Sequence, residues 1–158
     1  MADIETLEKQ LRVQVDAIKQ ATKDANHAKY VADNAKAAVK SLGDVIALSE
    51  RTIGSLQTEI AVGRRPDIAA KLQEQLAARR AGLTKLNTDL TAATEVMDKA
   101  IADEPVAKQA AADAIAAATT QIFDTLLPAW QAKTKAAGGT GDEIPTILNG
   151  IKAPTATP

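Results

Sequence analysis

The chain is predicted to be all-α, a long antiparallel coiled-coil helical hairpin. Three observations carry that prediction: a heptad seam of apolar residues, one short turn built around glycine and proline, and a composition rich in aliphatic residues but nearly devoid of aromatics. Hydrophobic residues make up 46% of the 158 positions, yet there is only one Trp, one Tyr and one Phe. A core assembled from alanine and aliphatic side chains lacks the large rings that usually fill a compact globule, and points to an elongated molecule.

The seam starts at Ile4 and steps alternately three and four residues through Leu7, Leu11, Gln14, Ile18, Ala21, Ala25, Ala28, Ala32, Ala35, Val39, Leu42, Ile46, Ser49, Ile53, Leu56 and Ile60. Only Gln14 and Ser49 are polar. A period of 3.5 residues keeps one stripe of a helix facing a partner, so a helix is expected over residues 3–62, roughly 90 Å long at 1.5 Å per residue. In VGRRPDIAAKL, Gly63 suits a left-handed cap and Pro66 the first turn of a new helix, placing a turn at 63–67. A second seam follows through Ala69, Leu72, Leu76, Arg79, Leu83, Leu86, Leu90, Ala93, Met97 and Ala100.

A short connection makes neighbouring helices antiparallel. Folded back, the seams pair Ile60 with Leu72, Leu56 with Leu76, Ile46 with Leu86, Val39 with Ala93 and Ala32 with Ala100, bulky against bulky and small against small. Proline lacks an amide donor and disfavours helical geometry in the residue before it. The return helix is therefore expected to run over 68–103, break at Glu104-Pro105, and restart to about 136. Beyond the break the best pairing moves by one residue, to Ile18 with Ile115, Leu11 with Ile122 and Leu7 with Leu126. Pro128 is a second place where the helix is expected to bend or end. The alanines at 21, 25, 28, 32 and 35 meet alanines of the returning helix and form a thin waist, where the backbones approach to the short end of the ~8–10 Å interaxial range.

Residues 1–136 thus read as one helical domain and 137–158 as a tail. KTKAAGGTGDE dissolves the helical pattern into a flexible linker. It leads to a short apolar segment, 144–151, in which Ile144, Ile147, Leu148 and Ile151 share one face. That face has two expected placements: docked in the groove of a partner, or packed on its own hairpin base near Phe123, Leu127 and Trp130. The terminal APTATP is expected to be extended or disordered.

Chemistry-bearing residues are sparse. There is no cysteine, which excludes disulfides, thiolate metal sites and thiol nucleophiles. His27, the only histidine, projects away from the seam, and a metal there would need ligands from another subunit. Tyr30 also points outward. Asp89, Glu95, Asp98, Asp103 and Glu104 read as a solvated acidic face, since no Glu-x-x-His spacing accompanies them. No strand precedes a glycine-rich phosphate loop. Neither a catalytic residue, a metal site nor a cofactor is assigned, and the chain is not expected to be an enzyme.

Net charge is −1 with 25% charged residues, so no overall field draws the protein to nucleic acid or anionic lipid. Locally, residues 63–85 carry Arg64, Arg65, Lys71, Arg79, Arg80 and Lys85 against Asp67 and Glu74. A basic hairpin tip of this kind, with Arg64, Arg65 and Arg80 foremost, supports a second reading as a nucleic-acid-binding helical arm. The N-terminus does not resemble a signal peptide, and no apolar run reaches the ~20 residues of a membrane span. Cytoplasmic synthesis is expected.

Val31, Ala38 and Val45 flank the main seam, and Val13, Val15 and Leu48 also lie outside it. A two-helix hairpin leaves such residues wet, and contiguous exposed apolar surface marks interfaces. Val31, Val45 and Leu48 are therefore candidate self-association residues, with a pair or a trimer of hairpins as the product. In style the chain is similar to accessory fibre and neck proteins of bacterial viruses, to assembly chaperones and to bacterial scaffolds. The expected function is that of a structural or protein–protein interaction module within a larger assembly, the partners being further copies of itself and another protein.

Overall fold

The computed structural model describes residues 3–154. Two long helices pack antiparallel as a hairpin, and no strand occurs among the described residues. Helix α1 spans Ile4–Ala61 and α2 spans Pro66–Thr120; a π-helical stretch, Gln121–Leu126, joins α2 to α3, Leu127–Ala136, and a 3₁₀ turn follows at Thr146–Leu148. Residues 155–158 of the terminal APTATP lie outside the described residues.

Helix α1 begins at a cap the chain supplies itself. A carboxylate oxygen of Asp3 accepts the Thr6 backbone N–H at 2.7 Å, occupying one of the donors that a helix N-terminus leaves unpaired. Bonding to the Thr6 side chain and then to its backbone N–H favours the charged carboxylate, so the Asp3 carboxyl titrates below its ordinary range. The cap is therefore complete above the ordinary carboxylate range and is lost as pH falls through the lowered value. The protection factor of the Thr6 amide, its exchange rate measured against the intrinsic rate at the same pH, should fall on acidification in the wild type, whereas Asp3→Ala should lack that protection at every pH. Equal protection in the two proteins would refute the cap.

The turn follows the sequence closely. Gly63 adopts φ +79° and its N–H donates to the Ile60 carbonyl at 3.2 Å, while Pro66 opens α2. By contrast, the break expected at Pro105 is absent, because α2 runs through it. Pro105 lies on an exposed face, so the Ile101 carbonyl deprived of its donor can be hydrated, and helix-forming alanines on both sides hold the backbone. The irregularity sits further on, at 121–126. There the Leu127 N–H donates to the Ile122 carbonyl, one residue further back than in an α-helix. Pro128 follows immediately and would crowd the Asp124 carbonyl of a regular helix; the wider π turn relieves it.

The chain forms two compact units. One comprises the described residues up to Lys29 and from Glu104 onward, and the other runs from Tyr30 to Asp103. In the second unit, Ala32, Ile46, Ile53, Leu72, Leu76 and Ala100 are buried, the positions the paired seams require. A groove lined by Thr52, Leu56, Gln75, Ala78 and Arg79 sets those stretches of α1 and α2 side by side in the expected register. In the first unit, a shallow groove lined by Ala21, Asp24, Ala107, Ala110, Ala111 and Ala114 marks the small-residue contact.

The first unit has a larger core than two helices provide. Leu7, Leu11 and Val15 from α1 cluster with Ile122, Leu126, Leu127, Trp130 and Leu148. Leu11 and Ile122 are both at 0% exposure. Val15, expected outside the seam, is only 4% exposed. It corrects the two-helix picture: at this end the tail adds a third layer through Leu148, and the apolar stripe of α1 widens to meet it. Thr119, the buried polar residue here, satisfies its hydroxyl by donating to the Ile115 carbonyl at 2.6 Å.

Candidate interaction surface

Within the unit from Tyr30 to Asp103, α1 presents a second line of residues at heptad spacing beside its buried seam. Stepping three and four from Val31, the line passes Asn34, Ala38, Ser41, Val45, Leu48, Thr52, Ser55, Glu59 and Val62. Glu59 is its only charged member. Helical positions three and four apart are surface neighbours, so this is one continuous face. It is also wet: Leu48 is 63% and Val62 68% exposed, with Val31 and Val45 likewise exposed. Uncharged surface on a helix otherwise lined by charge marks an interaction surface. The sequence points to Val31, Val45 and Leu48 but not to Val62, although the helix expected over 3–62 reaches it; its N–H donates to the Thr58 carbonyl at 3.2 Å. Tyr30, Val96 and Ile101 are further exposed residues of this unit.

The hairpin tip exposes its cations. Arg64, Arg65, Arg79 and Arg80 are all exposed, and one Arg65 guanidinium nitrogen lies 3.6 Å from an Asp67 carboxylate oxygen. Further along, acidic residues of α2 pair with lysines one turn away, Lys85 with Asp89 at 3.5 Å and Lys99 with Asp103 at 2.6 Å. The Asp103 hydrogen bond and charge hold the Lys99 ammonium above its ordinary range. These are solvated helix pairs, and such pairs contribute little to stability.

In the first unit, the tail segment lies on its own hairpin base. Leu148 is buried, Ile147 and Ile151 pack against the cluster around Trp130, and Pro145 is buried; Ile144 stays 63% exposed. The segment expected to be a flexible linker makes specific bonds that position this docking. Gly138, at φ +100°, and Gly139 close α3: their N–H groups donate to the Lys135 and Thr134 carbonyls at 3.1 and 2.9 Å, a pattern that satisfies the last carbonyls of a helix. A side chain on Gly139 would sit 2.7 Å from the Glu143 carboxylate. That carboxylate accepts the Thr140 N–H at 3.1 Å, and the Glu143 carbonyl accepts the Gln131 amide at 3.0 Å. Trp130 donates its indole N–H to Glu8 at 3.3 Å, tying α3 to the start of α1.

His27 is exposed, and no group of three or more His, Asp or Glu among the described residues is arranged to hold a metal ion. No helix among the described residues is long and apolar enough to cross a membrane. No protein-family model, curated protein or solved structure matches the chain.

Proposed function

We propose that this protein is a non-enzymatic structural or protein–protein interaction module that associates with further copies of itself, and through them with another protein, in a larger assembly. The single observation that supports this reading most is the exposed face of α1 on which Glu59 is the only charged residue. Covering Val31, Val45, Leu48 and their neighbours removes apolar surface from water at about 25 cal/mol per Å², while the buried seam on the other side keeps each hairpin folded. In this reading the hairpin carries one adhesive side, a design that suits fibre, neck or scaffold components.

The test separates folding from association. Val45→Lys with Leu48→Lys places charge on the face without touching the seam. Helicity and melting temperature of the isolated chain should change little, since exposed helix positions typically move stability by about 0.5 kcal/mol or less. The molar mass in solution should fall to that of one chain. A variant that associates as the wild type does would refute the face.

A further inference from the structure

We propose that the partner on this face is a second copy of the chain lying antiparallel to the first, with its two-fold axis between Val45 and Leu48. The proposal rests on the self-association reading above and specifies its geometry. Two independent patterns in the unit from Tyr30 to Asp103 lead to the same axis.

The first pattern is apolar. When α1 is laid against a second α1 running the other way, one register sets Val45 against Leu48 of the partner subunit and Val31 against Val62 of the partner subunit, each pair occurring twice. All four large apolar residues of the face are then covered, and Ala38 meets Ser55 between them. A two-fold interface places one patch on its own copy, so a face that complements itself on reversal is what such a pair needs. A parallel pair in register would cover the same residues, and the apolar pattern alone does not choose between the two.

Charge makes the choice. Residues 46–85 hold seven basic and four acidic side chains, a net +3, whereas residues 30–45 and 86–103 together hold three basic and six acidic, a net −3. The boundary falls at Leu86 on α2, level with the proposed axis; α1 is near neutral on both sides of it, with two basic and two acidic side chains over 30–45 and one basic and two acidic over 46–62, so α2 and the turn carry the asymmetry. A parallel pair would stack like halves on each other. The antiparallel pair brings the positive tip of each hairpin, net +4 over 63–85, alongside the negative stretch of its copy, net −3 over 86–103, and such complementarity favours that orientation even where individual pairs are weak.

The flank of the face repeats the pattern at the level of single residues. Asp44 and Arg51 sit on the line adjoining it, one position before Val45 and one before Thr52, and both are exposed. In the antiparallel register Asp44 approaches Arg51 of the partner subunit, twice per pair. Lys40, which holds Asp44 at 2.8 Å within the chain, lies on the solvent side and can share it.

A charge swap tests the arrangement. Sedimentation equilibrium of the full chain is compared for the wild type, Asp44→Arg, Arg51→Asp and the double variant, with circular dichroism confirming equal helicity. The antiparallel pair predicts a wild-type dimer, about tenfold or greater weakening in each single variant, and recovery to within about threefold in the double variant, because the reversed charges again face opposites. Single variants that dimerise as the wild type does, or a double variant without recovery, would overturn the antiparallel geometry while leaving self-association standing. A wild-type trimer would also overturn it, since this interface closes at two. A wild-type chain that stays monomeric would remove both this inference and the reading beneath it.

Discussion

Ending the chain after Ala137 is expected to lower its melting temperature, move Trp130 emission to the red, and leave the helical signal of α1 and α2 nearly unchanged. The tail buries Leu148 completely and Ile147 and Ile151 in part against the cluster of Leu7, Leu11, Val15, Leu127 and Trp130. Burying those three side chains contributes about 3–6 kcal/mol before the entropy of ordering the segment is subtracted. Leu148→Ala isolates the largest part and should cost about 2–4 kcal/mol, as cavity-forming substitutions do. Calorimetry and fluorescence on the two variants decide it. An unchanged melting temperature and emission maximum would mean that the tail does not rest on Trp130 in solution.

The second large effect belongs to Leu11 and Ile122, which meet in the same unit with no exposed surface on either. Leu11→Ala or Ile122→Ala removes atoms from a site that two helices and the tail wall in, so collapse is limited and a loss of about 2–5 kcal/mol is expected. Ile122 adds a backbone element, because its carbonyl accepts the Leu127 N–H in the π turn ahead of Pro128. Ile122→Val, which keeps the branched shape, should cost only about 0.5–1.5 kcal/mol. Denaturant melts resolve differences of this size. Equal, small effects for the alanine and valine variants would contradict a closely packed core at this end.

These two sites also show where the sequence was readable. The burial of Ala32 and Ala100 and the clustering of Leu11 with Ile122 agree with heptad spacing, because a repeat held along two segments leaves few registers in which large residues meet large ones. Gly63 and Pro66 announced the turn for equally local reasons: one tolerates positive φ, the other needs no donor. Val15 departs from the heptad reading because it belongs to a cluster that includes Leu148, far away in sequence, and a local period carries no information about a third layer. Pro105 was overrated for a related reason. A proline's cost depends on whether the carbonyl it orphans faces water or core, which the residues around it do not reveal. The π turn before Pro128 was invisible at sequence level beyond the expectation of a bend.

The surface was half legible. Val31, Val45 and Leu48 stood out as apolar residues off the seam, and the structure leaves them exposed. The continuous helix expected over 3–62 matches α1, unbroken through Ala61; what apolar residues off the seam do not reveal one by one is that Val62 completes a pattern that complements itself on reversal. The tail has two placements at sequence level, since four aliphatic residues on one face specify that something is covered and not what covers them.

The most direct measurement of the central claim is sedimentation equilibrium of the unmodified chain over a wide concentration range, at low and at high salt. The mass should rise from one 16.5 kDa chain to two with increasing concentration, with weaker association in high salt as the complementary charges are screened. A mass of one chain at every concentration and both salt levels would contradict it.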